Sequence, residues 1–165
     1  MSALQYHSLW LAIALAAVAV ASALIARRLA WREWRRAQAE AALDALARYS
    51  EWLGAQRRTA AFAGDVPAER SALAELRAIQ QLAFPELSGG LMALLQVHAR
   101  ALDFLWRQQV LRLRDAEAWL ESDHDARFMA LWEEHGTVVH ALADRLRESA
   151  GGPLVDAEPE SVYPV

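Results

Sequence analysis

The sequence predicts an all-α protein in which a single N-terminal transmembrane helix continues into a small cytoplasmic helical bundle of about four helices. Three observations carry this expectation. Residues 9–26 form an uncharged apolar run. Alanine and leucine dominate the chain while β-branched residues are sparse beyond that run, which favours helix over sheet. Four later segments repeat apolar residues at three- and four-residue spacing, and most of their ends are marked by proline, glycine or capping residues.

The run LWLAIALAAVAVASALIA covers about 27 Å as a helix, and the stems of Arg27 and Arg28 extend that to the thickness of a bilayer core. Tyr6 and Trp10 lie at one end and Trp31 and Trp34 just past the other, where amphipathic rings prefer the headgroup region. The first 26 residues contain no Lys or Arg, whereas residues 27–36 contain Arg27, Arg28, Arg32, Arg35 and Arg36. That asymmetry predicts an outside N-terminus and a cytoplasmic C-terminal part. It also argues against a cleavable signal peptide, despite the small residues Ala21-Ser22-Ala23, because the positive charge falls on the wrong side of the run. The expected organisation is a short extracytoplasmic N-terminus (1–7), a transmembrane helix (8–27), a juxtamembrane helix with a helical domain (28–150) and a disordered tail (151–165).

With no Pro or Gly between residues 9 and 53, the membrane helix is expected to run on to about residue 61. Beyond the arginines its apolar face narrows to a stripe through Ala39, Leu43, Leu46, Tyr49 and Leu53, of which Leu43, Leu46, Tyr49 and Leu53 are expected to remain partly uncovered as an interaction surface. Gly64-Asp65-Val66-Pro67 reads as a stop and a new start, and Ala72, Leu73, Leu76, Ile79 and Leu82 form the face of the second helix. Pro85 disfavours helix at Phe84, and Ser88-Gly89-Gly90 is expected to be a turn. A third helix over 91–120 is expected to bury Leu91, Leu94, Leu95, Leu102, Leu105, Leu113 and Leu120. The capping oxygens of Ser122-Asp123-His124-Asp125 precede a fourth, which ends at Gly151-Gly152-Pro153.

The net charge of −4 divides sharply, since residues 27–36 carry +4 and leave −8 for the rest. A basic collar beside an acidic domain suits a membrane surface and disfavours nucleic acid. The chain has no cysteine, which excludes disulfides and thiolate chemistry. All 17 basic residues are Arg, which with the alanine content points to a GC-rich bacterial genome and an inner-membrane location.

No phosphate loop, nucleophile elbow or zinc-protease motif is present, so the sequence predicts neither an enzyme nor a cofactor or metal site. With the third and fourth helices antiparallel about residue 122, His135 would lie level with Gln109 as a buried polar layer, and His98 would stand about 18 Å away. Trp52, Trp106, Trp119 and Trp132 are numerous for one small domain and read mainly as core, with one or two as exposed anchors. The expected function is a membrane-tethered protein-interaction module or an accessory subunit of an inner-membrane assembly, acting on a protein partner or a second copy. The alternative is a single-span sensor with a ligand pocket in the bundle.

Overall fold

A computed structural model describes residues 3–56 and 67–151, and all regular structure among them is helical. Helix α1 spans Ala3–Gln56, α2 Pro67–Ala83, α3 Ser88–Arg114, α4 Ala116–Glu121 and α5 His124–Ser149, with a 3₁₀ turn at Pro85–Leu87. The expected end of the first helix near residue 61, the Asp65 cap and nearly all of the C-terminal tail fall outside the described residues.

Helix α1 holds 54 residues and is about 80 Å long at the usual rise. Its two halves differ in kind. Every described side chain from 10 to 33 is exposed, including Trp10, Leu15, Val18 and Leu24. From Ala39 the helix enters the core, and Ala39, Ala42, Ala45 and Tyr49 are completely buried. Alanines at successive turns allow neighbouring helices to approach closely, while Leu46, Tyr49 and Leu53 supply the volume that fills the centre.

Helix α2 begins at Pro67, whose fixed φ suits a first helical turn, and runs back along α1. The ion pairs Arg48–Glu75 and Arg35–Glu86 mark the antiparallel register. Phe84 leaves the helical region as Pro85 requires, and it is fully buried beneath the Arg35 guanidinium, which lies 4.8 Å from its ring centre. The 3₁₀ turn then leads directly into α3, so Ser88, Gly89 and Gly90 form its first turn and not the separate turn expected from their composition. Gly90 lies so close to Leu142 of α5 that an added Cβ would stand 3.0 Å from its methyl carbon.

The expected third helix ends early. Asp115 turns out of the helix, and its carboxylate accepts the Ala118 N–H at 2.9 Å, capping the short α4. Among the described residues there are five α-helices, where about four were expected. Asp123 precedes α5 without capping it through its side chain, which pairs instead with Arg127. At the other end Gly151 adopts φ +81°, a left-handed conformation suited to glycine, and its carbonyl accepts a 3.4 Å bond from Arg36.

The early break resets the α3–α5 register. Arg100 pairs with Glu134 and Phe104 packs near Phe128, so the centre of the hairpin falls near residue 116 and not 122. The core consequently stops at Leu105 on α3, and Leu113 and Leu120 are more than two-thirds exposed where a buried face was expected; on α2, Leu82 is equally exposed although it was expected on the buried face. The stripe on α1 changes in the opposite direction. Leu46, Tyr49 and Leu53 are buried and Leu43 is partly buried against the core, so these residues hold the bundle together and do not form a free surface.

Leu46→Ala is therefore expected to cost about 2–5 kcal/mol, the range for truncating a buried leucine. Leu43→Glu with Leu46→Glu should unfold the domain, read as a collapse of the thermal transition in circular dichroism. Retention of a cooperative transition by the double variant would contradict the assignment of this stripe to the core.

Candidate functional site

Two features stand out from the helical framework, one at each half of α1. The first is the arginine collar. Arg27, Arg28 and Arg32 are exposed and form no ion pair among the described residues, whereas Arg35 turns to Glu86 and Arg36 to the Gly151 carbonyl. Trp31 is exposed and stacks on the half-buried Trp34, with ring centres 4.6 Å apart. Trp10 stands two-thirds exposed at the other end of the apolar segment. Within that segment, the hydroxyl of Ser22 donates to the Val18 carbonyl at 2.8 Å, which leaves this polar side chain internally satisfied.

The second feature is a polar and aromatic cluster where α1, α3 and α5 meet. The Tyr49 ring lies 5.5 Å from both the His98 and His135 rings. Its hydroxyl is 3.1 Å from His98 Nδ1. Trp52 flanks His98, and Trp132 stacks on His135 at 5.1 Å. The six-membered ring of the Trp132 indole also explains Gly54, because a Cβ there would stand only 3.1 Å from it. Two buried nitrogens in this neighbourhood, His135 Nε2 and Trp52 Nε1, have no hydrogen-bond partner among the described residues.

This arrangement replaces the expected Gln109–His135 layer. His98, not Gln109, is level with His135, and Gln109 lies eleven residues further along α3, or about 16 Å. The cause is the break at Asp115, which no apolar periodicity signals. The two histidines thus come together, contrary to the separation of about 18 Å expected from a longer hairpin. Among the described residues no group of three or more His, Asp or Glu side chains is placed to hold a metal ion.

Burial sets the protonation of the pair. His135 is pushed down to about 4, first by loss of hydration and then by repulsion from His98 and His140. His98 is lowered by burial alone. The cluster is therefore neutral at pH 7, with imidazoles serving as flat packing surfaces against Tyr49 and Trp132. A core space lined by Ala42, Leu76, Leu91 and Leu142 is apolar and about the size of one water molecule, too small for an organic ligand.

Comparison with protein-family models, with curated proteins and with solved structures finds no match. The physical features of the chain alone carry its functional reading.

Because the folded state lowers the pKa of His135, the unfolded chain takes up the proton first. Stability is fully present above about pH 6.5 and is lost as pH falls towards 4, by a total of about 3 kcal/mol. The thermal midpoint of the full chain in mild detergent should fall over that window, and His135→Leu should flatten the fall while costing little at pH 7. A midpoint that falls equally in wild type and variant would remove His135 as the cause. His135→Leu and Gln109→Leu should be additive, since the two sites do not touch.

Proposed function

We propose that this chain is a membrane-tethered helical module that acts by binding another protein and has no catalytic chemistry of its own. The observation that carries the tether is the segment of α1 with mean hydropathy 2.1 and no part of it buried within the molecule. An apolar helix surface of this length is long enough to cross a bilayer, and lipid would supply the cover that the chain does not. The internally bonded Ser22, the flanking Trp10 and Trp31, and the arginines on one side only all favour a span with the helical domain on the cytoplasmic side. The exclusive use of arginine and the alanine-rich composition favour a bacterial inner membrane.

The partner-binding part rests on a different surface from the α1 stripe. Trp106, Val110 and Leu113 recur at helical spacing along α3 and are exposed, with Leu120 of α4 exposed nearby in sequence. They lie beyond Leu105 and are not part of the hydrophobic core. An exposed tryptophan is a common anchor for a protein partner, and contiguous exposed apolar surface around it marks an interaction site.

A sensor reading has one observation in its favour. Tyr49 belongs to the same helix as the apolar segment and packs against both the half-buried His98 and the buried His135, so a change at the cluster acts directly on α1.

The full chain is expected to stay with membranes through alkaline washing and to leave them only with detergent, and a reporter fused after Val165 should be active in the cytoplasm alone. Release by alkali, or activity of the fusion outside, would overturn the tether or its orientation. A photocrosslinker at position 113 should capture a discrete protein adduct that Trp106→Asp weakens at unchanged melting temperature. Crosslinks indifferent to that substitution would move the partner away from this face.

A further inference from the structure

The arginines nearest the apolar segment are arranged on one side of α1, and their placement implies a more specific role than setting orientation. At about 100° per residue, Trp34, Arg27, Trp31, Leu24, Arg28 and Arg32 fall in that order within one sector of about 160°. Glu33, the one acidic residue of the collar, points to the opposite side. Leu24, Arg27, Arg28, Trp31 and Trp34 line a shallow groove on this face. Its guanidinium groups are unoccupied by any carboxylate among the described residues, while Arg35, two turns further along the same sector, is already paired with Glu86.

We propose that this face of α1, through Arg27, Arg28 and Arg32 beside the stacked Trp31–Trp34 pair, binds the headgroups of anionic phospholipids. The inference rests on the membrane reading above and deepens it by naming the lipid class. Charge complementarity selects the occupant. Three unpaired guanidiniums suit phosphate oxygens, which they can engage through paired N–H donors. Leu24 lies below them on the same face, where an acyl chain would continue, and Trp31 offers an indole at headgroup depth. The remainder of the chain carries −8 and is repelled by an anionic surface, so attraction is confined to the collar. The domain is thereby held off the bilayer and the lipid charge is drawn to one side of the helix.

The full chain reconstituted in phosphatidylcholine vesicles provides the test, with a small equal fraction of either brominated phosphatidylglycerol or brominated phosphatidylcholine as quencher of tryptophan fluorescence. The brominated anionic lipid should quench more strongly, the excess should shrink at high salt, and the combined Arg27→Gln, Arg28→Gln and Arg32→Gln variant should lose it. About a fivefold loss of local enrichment is expected per arginine. Lysine at the same three positions should retain most of the excess, which separates lost charge from a damaged helix. Equal quenching by both lipids in the wild type would overturn headgroup selection while leaving the tether intact. Absence of quenching by either lipid would overturn the tether itself.

Discussion

Burial of one face of α1 between Ala39 and Leu53 is the constraint on which the rest of the structure depends. Tyr49, Leu46 and three alanines of that face are each almost wholly excluded from solvent, and α2, α3 and α5 gather around them. The same helix, some twenty residues earlier, is apolar on all sides and covered by nothing among the described residues. A single secondary-structure element thus serves as core in one half and as an uncovered apolar rod in the other. The two halves are joined by α-helix without a break.

Much of this organisation could be read from the sequence. Residue spacing identified the apolar segment, its arginine flank and the continuity of α1 through Trp31 and Arg36. Pro67 marked the start of α2, Pro85 the departure at Phe84, and Gly151 the end of α5, because each has a local stereochemical effect that does not depend on the fold. The break at Asp115 was not legible, since leucines continue at helical spacing through Leu113 and Leu120 on both sides of it. A single carboxylate reaching the Ala118 N–H outweighs that pattern, and Leu113 before it and Leu120 after it remain in solvent. Gly89 and Gly90 misled in the other direction, as Gly90 is helical and leaves room for Leu142.

The candidate site differs from the sequence expectation for the same reason. A shift of about six residues in the hairpin centre exchanged Gln109 for His98 opposite His135, which turned an expected amide–imidazole layer into two imidazoles around Tyr49. Composition could not reveal this, because periodicity locates a buried face far better than it fixes the level at which two helices meet. The stripe on α1 was recognised as a stripe, but its coverage depended on α5 as well as α2, and chain length alone does not show that a third helix returns to the same face. Surface ion pairs such as Arg48–Asp44 and Arg107–Asp103 contribute little to this arrangement in stability, though Arg100–Glu134 and Arg48–Glu75 record its register.

Mechanical continuity between the apolar rod and the bundle core is the central physical claim. The chain has no cysteine, so spin labels can be placed singly at the exposed positions Val20 and Ala47 by Val20→Cys and Ala47→Cys in the full chain in lipid nanodiscs. An unbroken helix separates their backbones by about 40 Å. Pulsed electron spin resonance should return one narrow distance distribution close to that value. A broad distribution, or one centred well below it, would show a hinge within the arginine collar and contradict the continuity of α1.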